Sequence, residues 1–178
     1  MDQLMLLKPT KDYAEQIFYY RQTFIMQGEP MDGTGSLYRL PDPEEWLEQV
    51  EDLSKPETTP EGWDATSQYI CVRPYDNAMV GMILVRHTLN DYLKLYGGHV
   101  EYSVLPKDRN KGYGTWMLKN VLPYCREFGL EKVILACEPK NRAGLKVIEK
   151  NGGVFLDKVF DPEYEMEMDR YVIDLGRV

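Results

Sequence analysis

Histidine is nearly absent from this 178-residue chain, with His87 and His99 the only two, and cysteine is scarce, with only Cys71, Cys125 and Cys137. No Cys-x-x-Cys occurs. So few ligands at such spacing make neither a zinc site nor a disulfide framework, and thiols that merely pack outnumber nucleophilic ones. Basic residues are in the minority: 21 Lys and Arg against 29 Asp and Glu leave a formal net charge of −8. A reader of nucleic acid needs a basic surface, so nucleic acid is not an expected partner. Long apolar runs are missing too. The longest, Met79 to Val85 and Val133 to Cys137, fall far short of the roughly 18 residues of a membrane span, so no membrane role is expected. The start, Asp2 ahead of Leu4-Met5-Leu6-Leu7, carries neither a basic region nor a small-residue cleavage pattern, and the protein reads as cytosolic.

What is present is an ordinary globular balance, 43% hydrophobic and 28% charged, which predicts one domain over residues 1–178. Leu4 to Leu7 reads as a first strand. Thr10 can cap a helix with Ala14, Ile17, Phe18, Phe24 and Ile25 on its apolar face, stopped by Gly28. Met31 to Pro41 is a loop. Asp42-Pro43-Glu44-Glu45 starts a second helix with a capping-box pattern, whose stripe is Trp46, Leu47, Val50 and Leu53. Gln68 to Arg73 and Met79 to His87 form a hairpin, and Thr88 to Gly97 a loop. Gly98 to Val104 is a strand, Gly112 to Phe128 a helix despite Pro123, and Val133 to Cys137 a buried strand. Asn141 caps a helix to Lys150. Val154 to Val159 and Tyr171 to Leu175 are the last strands, separated by an acidic turn from Asp161 to Asp169. The pattern predicts an α/β (α+β) fold around a central mixed, mostly antiparallel sheet flanked by helices.

Chemistry concentrates in Val104-Leu105-Pro106-Lys107-Asp108-Arg109-Asn110-Lys111-Gly112-Tyr113-Gly114-Thr115. A strand passes into a helix through a basic loop with two glycines that allow close backbone approach. The unpaired N–H groups of the first helical turn carry partial positive charge, which suits a phosphate. A dinucleotide fingerprint fails for want of a third glycine, and a P-loop fails for want of Gly-Lys-Ser/Thr. An ordinary basic surface turn is the competing reading.

Arg109-x-x-Gly112-x-Gly114 resembles the Q/R-x-x-G-x-G/A signature of the GNAT family of N-acetyltransferases. A second segment, Asn141-Arg142-Ala143-Gly144 continuing to Glu149-Lys150-Asn151-Gly152-Gly153, is similar to the family's N-x-x-A/S segment, in the right order and spacing. The resemblance implies acetyl-CoA as co-substrate, bound in a wedge between two parallel strands, those ending at Val104 and spanning Val133 to Cys137. Backbone groups at Val104 and Leu105 would meet the pantetheine arm. Arg109, Asn110, Lys111, Gly112, Tyr113, Gly114 and Thr115 would hold the pyrophosphate, and Asn141 the pantetheine or adenine end. The acceptor would be a primary amine of a small molecule or peptide, no metal is implied, and a homodimer is an open assembly.

The family's usual tyrosine, the acid that protonates the departing thiolate, is replaced by Ile148. Either another hydroxyl takes the role, with Tyr102, Tyr113 and Tyr171 as candidates and Tyr102 as the expected catalytic one, or the thiolate leaves unassisted. A non-catalytic CoA-binding module is the alternative reading. For the base, Gly98 to Val104 alternates, with His99, Glu101 and Ser103 on one face, which makes Glu101 the first candidate and His99 the second. Structural pairing of Glu101 with a nearby Arg or Lys is its competing role.

Overall fold

The computed structural model describes residues 3–176. In chain order it contains β1 (Met5–Leu7), α1 (Ala14–Gln27), α2 (Pro43–Leu53), β2 (Thr66–Arg73), β3 (Ala78–Arg86), α3 (Asp91–Tyr96), β4 (Val100–Val104), α4 (Tyr113–Glu127), β5 (Lys132–Cys137), α5 (Arg142–Lys150), β6 (Val154–Asp161) and β7 (Met166–Asp174). The strands form a four-stranded sheet, β1-β2-β3-β4, and a three-stranded sheet, β5-β7-β6, with every ladder antiparallel.

Strand β3 is buried from Met79 to Val85 because helices cover both faces of its sheet. Its alternation splits the core in two. Met82 joins Ile17, Tyr20, Phe24, Trp46 and Ile70 beneath α1 and α2, while Ile83 and Val85 join Met117, Leu118, Val121 and Leu122 of α4. Ile17, Tyr20 and Phe24 form the buried face of α1, whereas Phe18 and Ile25, expected there, are exposed. Tyr20 escapes a purely apolar count, yet its hydroxyl meets Ser103 Oγ at 3.0 Å and so can be buried.

The two sheets meet at one isolated antiparallel bridge, Gly98 to Leu135, not in a parallel ladder. His99 N donates to Ile134 O at 2.7 Å, and Ile134 N donates to His99 Nδ1 at 2.9 Å. Gly98 is required here, since its φ is +76° and a Cβ would lie 2.4 Å from Ile134 O. Past this point β4 has no ladder partner opposite β3 among the described residues, and a wedge opens along it.

Three local expectations change and two hold. Thr10 precedes a one-turn 3-10 helix and makes no side-chain cap. Asp42 does cap α2, accepting from Glu44 N at 2.9 Å. The segment 88–97 contains α3, because Asn90 Oδ1 accepts from Leu93 N. Strand β7 begins inside the expected acidic turn, where Asp169 faces Lys158 at 3.4 Å and Arg170 pairs with Asp157, so the charges are cross-strand partners. Helix α4 runs through Pro123, which lies on its exposed side.

Candidate active site

The loop ahead of α4 is built around Asp108. This carboxylate is buried and receives Arg73 at 3.1 Å and Lys111 at 2.8 Å. Asn110 and Gly112 both take positive φ, 62° and 82°, and Gly112 leads into α4 with no side-chain cap. The start of a fifteen-residue helix therefore presents its first turn behind a glycine that has no side chain to cap it.

That helix start opens into a cavity of about 560 Å3. Tyr102, Ser103 and Val104 of β4 form one wall, and Gly112 to Thr115 another. Helix α5 contributes Gly144, Lys146, Val147 and Lys150, and the segment after α1 contributes Glu29, Pro30 and Asp32. Of the residues expected at the site, Tyr102, Val104, Arg109, Asn110, Gly112, Tyr113, Gly114, Thr115 and Asn141 line the cavity.

Four expected residues are engaged elsewhere. Leu105 is buried and its N–H donates to Val80 O at 2.9 Å. Lys111 is held on Asp108. Glu101 takes the Arg86 guanidinium at 2.8 Å. His99 is buried at the bridge between the sheets, and burial, with the Arg86 charge second, holds it below the ordinary histidine range.

The remaining groups have definite partners. Arg109 pairs with Glu29 and donates through Nε to Val104 O at 3.2 Å, and the guanidinium holds the Glu29 carboxyl below the usual range. Asn141 Oδ1 caps α5 by accepting from Gly144 N at 2.9 Å. A Cβ on Gly144 would lie 2.8 Å from Asn141 Nδ2 and 2.9 Å from Cys137 Sγ, so a small side chain there would have to displace the side chain of Asn141 or Cys137. Ile148 is buried in the core beneath α4 and presents nothing to the cavity. Among the three candidate hydroxyl residues, Tyr102 and Tyr113 line it and Tyr171 does not. Tyr102 OH donates to Gly144 O at 3.3 Å, and burial pushes its titration up, so the proton stays on oxygen.

Sequence reasoning missed Asp32, Lys146 and Lys150. The two lysines, one turn apart on α5, have no carboxylate partner among the described residues. Asp32 reaches solvent through the cavity, yet the protein packed around it, and secondly the negative charge of Glu101, push its carboxyl up to about 6. Lys146 and Lys150 could have been found from their spacing after Asn141. Asp32 had no such signal, since Asp32-Gly33 reads as an ordinary turn.

Among the described residues no group of three or more His, Cys, Asp or Glu could hold a metal ion, and no helix is long and apolar enough to cross a membrane. No curated protein sequence matches the chain. Among solved structures, a ribosomal-protein-S5-alanine acetyltransferase from Vibrio fischeri matches with TM-score 0.75 at 15% identity, over 98% of this chain and 94% of that one. A spermidine N-acetyltransferase from Vibrio cholerae, in complex with CoA and spermine, gives 0.65 at 15% identity, over 98% and 96%. An acetyl transferase from Salmonella typhimurium that modifies the N-terminal serine of ribosomal protein L7/L12 gives 0.68 at 13% identity, over 96% and 94%. At these identities the likeness is one of fold. The family itself is shown by a model of the acetyltransferase (GNAT) domain that matches residues 3–154, and the chain belongs to the GNAT acetyltransferase family.

Proposed function

We propose that the protein transfers an acetyl group from acetyl-CoA to a primary amine of a small molecule or peptide. The observation that carries this reading is the uncapped start of α4 opening into the same cavity as Tyr102 and the free edge of β4. The residues fit the co-substrate. First-turn N–H groups between Gly112 and Thr115 suit a diphosphate, and Lys146 and Lys150 supply unpaired positive charge beside them. Arg109 can join once it exchanges Glu29 for phosphate oxygens. The edge of β4 facing away from β3 offers backbone donors and acceptors to the pantetheine amides, in the manner of an added strand.

The chemistry supplied by the bound thioester is an activated acetyl group beside the acceptor. Tyr102, which lines the cavity and keeps its hydroxyl proton, serves as the proton donor that Ile148 cannot be. Proteins of related fold support the same reading: a spermidine N-acetyltransferase, a ribosomal-protein-S5-alanine acetyltransferase and an acetyl transferase that modifies the N-terminal serine of ribosomal protein L7/L12. The test is thiol release from acetyl-CoA with spermidine and with peptides bearing free N-terminal alanine or serine. Amine-dependent release is expected. Acetyl-CoA binding without release on any amine would instead support a CoA-binding module.

A further inference from the structure

The co-substrate leaves one charged group of the cavity without a task. Asp32 lines it, and no cation pairs with its carboxylate among the described residues. The segment that carries it is tied down on three sides. Asp32 O accepts from Ser103 Oγ on β4, Gly33 O from Gln68 Nε2 on β2 at 2.8 Å, and Thr34 O from Trp46 Nε1 on α2 at 2.9 Å. Gln68 and Trp46 are buried. Gly33 lies so close to β4 that a Cβ would sit 2.4 Å from Glu101 O. Three consecutive carbonyls anchored to three different elements fix the backbone that carries Asp32, and Asp32 lines the cavity.

The groups around Asp32 leave it short of positive charge. Glu101 approaches from β4 and is itself neutralised by Arg86 of β3. Tyr102 of β4 and Cys137 of β5 sense the Asp32 charge, and both remain protonated. Across the cavity Glu29 and Arg109 satisfy each other. A carboxylate so placed favours a cationic ligand, and a carboxyl pushed up to about 6 is well matched to proton uptake near neutral pH.

We propose that Asp32 receives the ammonium group of the acceptor and takes its proton, a role that rests on the acetyl-transfer reading and makes the acceptor a cationic primary amine. The ammonium nitrogen gives one proton to an Asp32 carboxylate oxygen. Its freed lone pair forms the C–N bond at the thioester carbonyl, and the C–S bond breaks with its electron pair on sulfur. The excess proton on the new amide nitrogen passes to that sulfur through the Tyr102 hydroxyl. Asp32 then returns its proton to water, so an amide, a free thiol and one proton are formed.

The test uses the full chain with Asp32→Asn and Asp32→Glu, with spermidine and an N-terminal alanine peptide as separate acceptors. The clamp on this segment is made by backbone carbonyls, so both variants retain it. For Asp32→Asn we expect wild-type acetyl-CoA affinity by calorimetry and a kcat/KM lower by about 10²- to 10⁴-fold near neutral pH. The rise of kcat/KM with pH on the acid side, present in the wild type, should vanish in Asp32→Asn and return in Asp32→Glu. An active wild type whose Asp32→Asn variant keeps both its rate and its acid-side rise overturns the proposal and leaves acetyl transfer standing. Loss of acetyl-CoA affinity in Asp32→Asn also overturns it, by placing Asp32 on the co-substrate. A wild type that releases no thiol with any amine refutes the acetyl-transfer reading first and this proposal with it.

Discussion

Replacing Gly33 by alanine perturbs the clamp at its tightest point. Gly33 has φ +73°, and an added Cβ would meet Glu101 O at 2.4 Å and Tyr102 Cα at 2.6 Å. Both are backbone atoms of a strand paired with β3, so neither can swing aside as a side-chain tip would. The left-handed conformation costs a non-glycine residue about 1–2 kcal/mol, and overpacking against a fixed neighbour about 1–3 kcal/mol. Together these give about 2–5 kcal/mol, a large share of the roughly 5–15 kcal/mol that holds a domain folded. At about 2–4 °C per kcal/mol for a chain of this size, the midpoint should fall by about 4–20 °C. Gly62→Ala is the matched control, since Gly62 has φ +84° with nothing within 4 Å of an added Cβ. It should lose only the conformational part, about 1–2 kcal/mol. Thermal unfolding of the two variants beside the wild type decides the matter. A Gly33→Ala midpoint at or above that of Gly62→Ala would show that this segment does not press on β4, and the fixed placement of Asp32 would go with it.

Other consequences follow from the same contacts. His99 is held neutral by burial and by Arg86, so the unfolded chain binds its proton more readily. Its contribution to stability is therefore present at neutral pH and lost as pH falls below the ordinary histidine value. His99→Ala should flatten that part of the unfolding profile and cost about 1–3 kcal/mol by orphaning Ile134 N–H, and an unchanged pH slope would refute this. Replacing Lys146 and Lys150 together by glutamate should weaken acetyl-CoA binding by about tenfold or more and reduce its salt dependence; titration calorimetry at two ionic strengths would expose an unaltered affinity. Glu101→Gln removes a negative charge beside Asp32, so the acid-side rise of kcat/KM should move to lower pH with turnover above it largely kept. A loss of about 10²- to 10⁴-fold in turnover would instead make Glu101 the base.

The loop proposed to hold the co-substrate was legible as a unit because it is local: a strand end, a loop with two glycines and a helix start all fall between Val104 and Thr115. The partners of its cations were not. Asp108 lies three residues before Lys111, but Glu29 reaches Arg109 from eighty positions away. The alternation of β4 does not show which of its residues line the cavity, for a physical reason. Beyond the bridge at Gly98 the strand is an edge, and the cavity wraps around that edge, taking Tyr102, Ser103 and Val104 in succession. Two-residue periodicity separates faces and does not reveal an edge. Asp32 stayed hidden because its placement depends on Gln68, Trp46 and Ser103, three side chains scattered over the chain. The division of the sheet was likewise unreadable, since it turns on one glycine and one histidine at the junction.

The place where CoA binds is measured most directly by a crystal structure of the CoA complex. It should show the diphosphate on the N–H groups between Gly112 and Thr115, Arg109 released from Glu29, and the thiol end beside Tyr102 within reach of Asp32. CoA bound outside this cavity, or with its thiol directed away from Tyr102 and Asp32, would contradict that placement.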